Sequence, residues 1–175
     1  MKILAISGSL RKDSYNTALL KAMKALAPEH IEITLFDELG QIPLFNPDID
    51  PNIIALKNSL AEADGLFLSS PEYARGISGV LKNALDWLVS GEEFVDMPVA
   101  IFNTSPRASH ALDSLYEIVR TMSGNIIDTA CITVPLLGSN LTAEGIVEDH
   151  VMSESIKSAI NAFYVGIVNV NNDRQ

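Results

Sequence analysis

The sequence predicts an α/β fold, a doubly wound sheet of five parallel strands with helices on both faces. Five short apolar runs alternate along the chain with longer stretches in which apolar residues recur at helical spacing. Such an alternation implies parallel strands joined by right-handed crossovers. Most of the apolar runs are continuous, as expected for strands covered by helices on both faces. No internal repeat or low-complexity linker divides the chain, so we expect residues 1–175 to form a single domain.

Each element is placed by its own pattern of apolar residues. The strands are expected at Lys2–Ser7, Ile31–Phe36, Gly65–Ser69, Pro98–Asn103 and Asn125–Val134. The helices are expected at Tyr15–Leu26, Asn52–Glu62, Gly79–Val89, Arg107–Met122 and Ser153–Val165. Between the second strand and the second helix, the segment Asp37–Pro51 has three prolines and no clear period. That composition predicts a long surface loop.

The helix predicted at Gly79–Val89 has an unusually wide apolar stripe. Leu81 and Leu85 lie on one face, while Val80 and Trp87 extend the stripe beyond it. A helix with such a stripe is expected to pack against the sheet and also against something else. A second subunit is one candidate for that additional contact.

The charge of the chain is acidic overall but basic near its start. The formal net charge is −10, which argues against nucleic-acid binding by a basic surface. Residues 1–27, however, carry five cations and a single anion, Asp13. This basic segment suits a small anionic ligand, because the local field governs the binding of a small ligand. For Lys21 and Lys24, solvated positions on the outer face of a helix are the simpler interpretation.

The sequence offers no sign of a membrane or secretory protein. No apolar run approaches the roughly 20 residues that a bilayer-spanning helix needs, and the first run is too short for a signal peptide. The single cysteine, Cys131, excludes an internal disulfide, and a reducing cytoplasm is the expected location. Because Cys131 lies in the apolar run Ala130–Val134, we expect it to be a buried strand residue.

The loop after the first strand has the composition of an anion site. In a doubly wound sheet, ligands bind at the carboxyl ends of the strands, so the loops after strands 1, 3 and 4 should converge. The first of these loops supplies hydroxyls, an amide and a guanidinium at a helix N-terminus, from Ser9, Arg11, Ser14, Asn16 and Thr17. Free N–H groups at a helix start attract anions, and arginine adds a charge-assisted hydrogen bond. A terminal phosphate monoester fits this set of donors, although Ser14 alone would also be an ordinary N-cap.

The other two loops are suited to a planar ligand. After the third strand, Pro71 stiffens the exit, Tyr73 offers an aromatic face, and Gly76 permits close approach of the backbone. Backbone amides along residues 72–76 can bind a ring edge, although Glu72 and Arg75 can also be read as a surface ion pair. After the fourth strand, Thr104, Ser105 and Arg107 supply polar donors. Ser105 is the expected N-cap, and Pro106 is expected at the first helical position.

Other chemistries lack their motifs. The sequence contains no Gly-x-Gly-x-x-Gly dinucleotide fingerprint, no P-loop and no Gly-x-Ser-x-Gly nucleophile elbow. The three histidines, His30, His110 and His150, are far apart in sequence and lack metal-ligand spacing. We therefore expect no metal site.

Two stretches carry a family resemblance. The sequence "GSLRKDSYN" followed by "SPEYARGISGVLKNALDW" resembles the NADPH-dependent FMN reductases, which include quinone, azo-dye and chromate reductases. The resemblance implies a flavodoxin-like fold with strand order 2-1-3-4-5. It implies that FMN is the cofactor and that NADPH or NADH is the co-substrate. Because the flavin would carry the chemistry, we expect no dedicated catalytic side chain. The acceptor would then be a small molecule such as a quinone, azo compound, flavin or metal oxyanion.

The resemblance also implies roles for individual residues. The FMN phosphate would be held by Ser9, Arg11, Ser14 and Asn16, with Thr17 nearby. The isoalloxazine and ribityl chain would lie against Pro71, Glu72, Tyr73, Ala74, Arg75 and Gly76. Ser105 and Arg107 would close the other side of the ring, and the helix Gly79–Val89 would form the interface of a homodimer or a homotetramer.

This chain departs from the family pattern at three places. Ala74 stands where relatives usually have Asn, Ser78 stands where they often have Pro, and the third loop lacks their Gly-Gly pair. These departures bear on FMN affinity and on the range of acceptors. Two alternatives to a reductase therefore remain open. One is a flavodoxin-like electron carrier, and the other is a binding or regulatory module on the same fold without flavin.

Overall fold

The sheet has the predicted strand order. The computed structural model describes residues 1–48, 54–89 and 91–173. Within them the parallel strands β1 (Lys2–Ser7), β2 (Glu32–Leu35), β3 (Gly65–Ser69) and β4 (Pro98–Asn103) are followed by two short strands, β5 (Asn125–Ile126) and β6 (Ile132–Thr133). The order across the sheet is β2-β1-β3-β4-β5, and β6 also pairs with β4. The bounds of β1, β3 and β4 are those predicted.

The helices cover both faces of the sheet. They are α1 (Tyr15–Leu26), α2 (Ile54–Ala61), α3 (Gly79–Leu88), α4 (Ser109–Thr121), α5 (Ala143–Glu148) and α6 (His150–Asp173). Along β1, Ile3 and Ala5 face the side that α1, α5 and α6 cover, while Leu4 and Ile6 face the side of α2, α3 and α4. Burial of both strand faces explains why the apolar runs are continuous. Asn52 and Ile53, predicted to begin α2, lie outside the described residues.

The prediction of one continuous fifth strand, Asn125–Val134, is wrong because two short strands, β5 and β6, replace it. Val99 pairs with Ile126 and Phe102 pairs with Ile132. Between these two pairs the chain from β5 to β6 is therefore three residues longer than β4. The extra length forms a short 3-10 helix, Asp128–Ala130. Cys131 follows this helix as a half-buried residue rather than a buried strand residue. Its Sγ accepts the Ile101 N–H at 3.2 Å, and burial raises the pKa of the thiol.

The C-terminal helical region also differs from prediction. The short helix α5 was missed, and α6 extends beyond the predicted Ser153–Val165 at both ends. Gly166 lowers the helix propensity of this segment, but its missing side chain is required by packing. A Cβ there would lie 2.6 Å from Cγ2 of Ile127. Although α6 is long, no helix in the described residues combines the length and apolarity needed to cross a bilayer.

The segment after β2 is bound to α3. It contains a 3-10 helix, Leu39–Gln41, that the sequence did not indicate. The Asn83 side chain accepts the Phe45 N–H at 2.7 Å and donates to the Pro43 carbonyl at 2.9 Å. The Trp87 indole donates to the same carbonyl, and its ring meets Phe45 edge to face with centroids 4.8 Å apart. Trp87 is therefore covered by its own chain, so it no longer argues for a second subunit.

Replacement of Asn83 tests this attachment. Asn83→Ala removes two hydrogen bonds and should lower the free energy of unfolding by about 1–2 kcal/mol. Hydrogen exchange at the Phe45 amide should accelerate, since that amide loses its acceptor. The matched control is Lys82→Ala, which removes an exposed pair with Asp86 worth about 0.5 kcal/mol. Unchanged exchange at Phe45 in the Asn83 variant would show that the loop is held by other contacts.

Candidate functional site

The loops after β1, β3 and β4 meet in one cleft, as predicted. The cleft has a volume of about 370 Å³ and lies at the carboxyl edge of the sheet, where doubly wound folds bind ligands. Nine of the predicted site residues line it, namely Ser9, Arg11, Ser14, Asn16, Pro71, Glu72, Tyr73, Ser105 and Arg107. Residues from all three loops are therefore adjacent in space.

The first loop leads into α1 through a side-chain cap. Ser14 has extended backbone, and its Oγ accepts the Thr17 N–H at 3.3 Å, as predicted for an N-cap. Ser9 Oγ accepts the Arg11 N–H at 3.3 Å in the same manner. In both serines the oxygen acts as an acceptor within the loop, so each hydroxyl hydrogen remains available to a ligand.

Asn16 connects this loop to two strands. It is 5% exposed, and its Oδ1 accepts hydrogen bonds from the Ser69 hydroxyl at 2.7 Å and the Thr104 hydroxyl at 3.4 Å. Ser69 ends β3 and Thr104 directly follows β4. The carbonyl oxygen of the Asn16 side chain is thereby occupied, which leaves the NH₂ group as the donor of a residue that lines the cleft.

The first loop therefore presents several hydrogen-bond donors to the cleft, with the exposed Asp13 carboxylate as an acceptor beside them. The Arg11 guanidinium is exposed, and the ion pairs found among residues 1–48, 54–89 and 91–173 do not involve it. Two hydroxyl hydrogens, an amide and a guanidinium suit a doubly charged phosphate, which has only acceptor oxygens. The residues present thus fit the phosphate group of FMN.

Gly8 allows the first and second loops to approach closely. Its N–H donates to the Ser69 carbonyl at 2.7 Å, and a Cβ at this position would lie 2.9 Å from Oγ of Ser78. Ser78 is the N-cap of α3, where it accepts the Leu81 N–H. A side chain at residue 8 would therefore displace the start of α3.

The second loop turns through two residues with left-handed backbone. Tyr73 and Gly76 exchange both N–H···O bonds at 3.0 Å, and between them Ala74 has φ 50° and Arg75 has φ 62°. Two consecutive positive φ values are the pattern of a type I′ turn. Of the backbone amides predicted to bind a ring edge, those of Tyr73 and Gly76 are used by the turn, whereas those of Ala74 and Arg75 are not.

Glu72 joins the second loop to the third. Its carboxylate accepts the Ala111 N–H at 2.9 Å, which places a negative charge in the first turn of α4. It forms no ion pair with Arg75, the alternative that the sequence allowed. This contact spans 39 residues and has no local sequence signal.

The predicted N-cap of α4, Ser105, is wrong. Helix α4 begins at Ser109, not Arg107, so Pro106 lies in the preceding turn rather than at the first helical position. The N-cap position is occupied by Ala108, whose side chain cannot cap the helix. Ser105 instead accepts the Arg107 N–H at 3.2 Å in a turn, and Asn103 Nδ2 braces the turn through the Ser105 carbonyl. The capping role belongs to Glu72. Arg107 stays exposed at the wall of the cleft.

Some predicted residues lie elsewhere, and others were missed. Thr17, Ala74, Arg75 and Gly76 are not among the residues that line the cleft, and the Thr17 hydroxyl is hydrogen-bonded to Ser7 at 2.8 Å. The cleft also contains Asp13, Tyr15, Ser70, Asn103, Thr104, Ala108 and Leu137. Of these, Thr104 was predicted as a polar donor of the third loop, and Leu137 had a readable signal because it precedes a turn glycine, Gly138. His110 is exposed on α4, as predicted, and no group of three metal-ligating side chains is found in the described part of the chain.

The known proteins that this chain resembles in sequence are named as FMN reductases and quinone reductases. The sequence model described as NADPH-dependent FMN reductase matches residues 1–135. A 2-hydroxy-1,4-benzoquinone reductase of Burkholderia sp is 45% identical over 91 residues, 50% of this chain and 49% of that protein. An NAD(P)H-dependent FMN reductase of Pseudomonas aeruginosa is 36% identical over 129 residues, 70% of this chain and 69% of that protein. The match to the first relative thus spans about half of its length.

The fold is also found in a solved flavoenzyme. An NAD(P)H:(acceptor) oxidoreductase from Paracoccus denitrificans superposes with a TM-score of 0.85 at 26% identity, covering 96% of this chain and 97% of that one. The doubly wound architecture is therefore shared along nearly the whole length of both chains, including the region beyond residue 135.

The strained turn yields a stability prediction. Ala74→Asn should raise the free energy of unfolding by about 0.5–1 kcal/mol, because asparagine tolerates left-handed backbone better than alanine. The control is Ala25→Asn on the exposed side of α1, where the same change should lower stability by about 0.5 kcal/mol. Urea unfolding measures both. A loss of stability at both positions would refute the turn geometry.

Proposed function

The chain belongs to the NADPH-dependent FMN reductase family, and we propose on that premise that it is an FMN-containing oxidoreductase. It would take reducing equivalents from NADPH or NADH and pass them to a small acceptor of the quinone class. We infer this activity from relatives that the chain matches over only part of their length. The chemistry of the residues in the cleft is therefore needed as independent support.

The main support for the proposal is that the side-chain oxygens of the first loop are hydrogen-bonded within the protein, while their donor hydrogens are free for a ligand. Oxygens of Ser9, Ser14 and Asn16 accept bonds from the protein itself. Their remaining hydrogens, together with Arg11, form a donor set for a phosphate monoester. FMN ends in this group and has a planar ring system that suits the adjoining wall of the cleft.

The side chains divide the work of holding and orienting such a cofactor. Arg11 and the two serines bind the phosphate, while Asn16 holds the start of α1 against β3 and β4. Tyr73 is 52% exposed at the cleft and offers an aromatic face to a planar molecule. When bound, FMN supplies the hydride and single-electron chemistry. Glu72 keeps the second loop and α4 at a constant spacing through the Ala111 N–H.

The shape of the cleft and the names of the relatives support the quinone class of acceptor. The rim includes Tyr73 and Leu137, which are 52% and 59% exposed. These side chains form an open apolar rim suited to flat molecules, and the Burkholderia relative is named for a benzoquinone. An open site of this kind would accept several flat acceptors rather than one.

We extend the proposal to assembly and location. A homodimer or homotetramer would cover the exposed Leu44 and Phe45, which are 83% and 40% exposed beside α3. Symmetric association is the usual outcome for such surfaces. The single cysteine is compatible with a reducing cytoplasm.

Removal of the guanidinium tests the phosphate site. Arg11→Ala should weaken FMN binding by about 10- to 100-fold, the effect of losing a charge-assisted hydrogen bond. The matched control is Arg120→Ala, which removes the same charge from the far end of α4 and should leave FMN affinity unchanged. Quenching of flavin fluorescence measures both, and circular dichroism checks the fold. Equal FMN affinity in the Arg11 variant and the wild type would refute the assignment.

Reduction by NADPH separates an enzyme from an electron carrier. Mixed anaerobically with NADPH, the FMN-loaded protein should lose its flavin absorbance rapidly, and added benzoquinone should restore it. A carrier would retain its flavin but react with NADPH very slowly. Retained flavin without reduction would therefore contradict the reductase and support the carrier.

A further inference from the structure

A second cleft adjoins the first. It has a volume of about 470 Å³ and lies between the start of α1 and the segment leading into α5. The two clefts share Arg11, Asp13, Ser14 and Tyr15, so they are contiguous across the first turn of α1. Lys12 and Lys21 line only the second cleft.

The lining of the second cleft is cationic and partly apolar. Arg11, Lys12 and Lys21 face Asp13 and Glu144, an excess of one positive charge on a chain of net charge −10. Across residues 1–48, 54–89 and 91–173, the ion pairs involve other lysines, so these three cations have no close carboxylate partner. All three cations belong to the basic segment that the sequence analysis identified within residues 1–27.

Glu144, a carboxylate that lines the same cleft as Lys21, is already hydrogen-bonded within the protein. The Glu144 carboxylate is held by its own backbone N–H and by the Thr142 hydroxyl, and Lys21 adds a weaker attraction. These contacts hold the pKa of Glu144 below its usual range. Because the Glu144 carboxylate is hydrogen-bonded at the start of α5, it forms no direct ion pair with Lys21.

The remaining walls suit a purine nucleoside. Tyr15 contributes an aromatic ring that is fixed in place, because its hydroxyl accepts the Asn140 N–H at 3.2 Å. Leu141, Ala18 and Ala143 add apolar surface. Apolar and aromatic walls that carry a few polar or charged groups are typical of small-molecule sites, and this combination suits a nucleoside that bears a phosphate.

We propose that the second cleft binds the adenosine half of NADPH, with Lys12 and Lys21 on its 2′-phosphate. The proposal rests on the reductase function above, in which the nicotinamide reacts in the first cleft. Because Arg11 is engaged by the FMN phosphate, Lys12 and Lys21 remain for a further phosphate group. NADH lacks this group, so the site favours NADPH.

Calorimetry with nucleotide fragments tests the proposal directly. The FMN-loaded wild type should bind 2′,5′-ADP at least about tenfold more tightly than 5′-AMP, because a phosphate dianion meets two lysines. The double variant Lys12→Ala/Lys21→Ala should lose this preference and keep its flavin. Lys24→Ala, one turn further along α1 and outside both clefts, is the matched control and should keep the preference.

Steady-state kinetics give a second readout. In the double variant, KM for NADPH should rise about tenfold while KM for NADH and both kcat values stay unchanged. Equal affinity of the wild type for the two fragments would overturn the proposal. An unchanged preference in the double variant, or displacement of FMN by 2′,5′-ADP, would also overturn it.

The proposed function and this inference fail in different ways. Absence of retained flavin or of NADPH oxidation refutes the reductase, whatever the fragments do. If flavin and NADPH oxidation are both present, indifference to the 2′-phosphate refutes only the second cleft.

Discussion

The hydrogen bonds accepted by the Asn16 side chain hold the cleft together. Its Oδ1 binds hydroxyls at the ends of β3 and β4, while its backbone belongs to the first turn of α1. One buried amide thus joins three chain segments that are distant in sequence. Buried polar groups of this kind are costly unless paired, so the contact determines the relative position of the elements that line the cleft. The anion-binding character of the first loop depends on it, because only the donor end of the amide remains free.

Other side-chain oxygens around the cleft also accept hydrogen bonds from the protein itself. Ser9, Ser14 and Ser105 each accept a backbone N–H, and Glu72 accepts one from α4. Since acceptors are consumed within the protein, the surface left to a ligand is rich in donors. A net charge of −10 therefore does not prevent the chain from presenting an anion site. The adjoining cleft at α1 and α5 continues this pattern with two lysines.

The sequence predicted most of the sheet and the composition of the site, for physical reasons that differ by element. Strands β1, β3 and β4 are uninterrupted apolar runs, so their bounds were readable. The fifth strand was not, since nothing local indicates that Asp128–Ala130 forms a 3-10 helix with Cys131 beside it. The length of α6 was underestimated because Gly166 is required by packing against Ile127 rather than by helix propensity. The start of α4 was misplaced because its cap is Glu72, 39 residues earlier in the chain.

A cleft at the carboxyl edge that binds FMN through the first loop should retain the flavin during purification. The visible absorption spectrum of the purified wild type, recorded after FMN is added and the excess removed, decides whether it does. We expect a retained flavin band in equimolar amount with the chain. A protein that returns to a colourless state after removal of free FMN would contradict it, and the fold would then serve a flavin-free function.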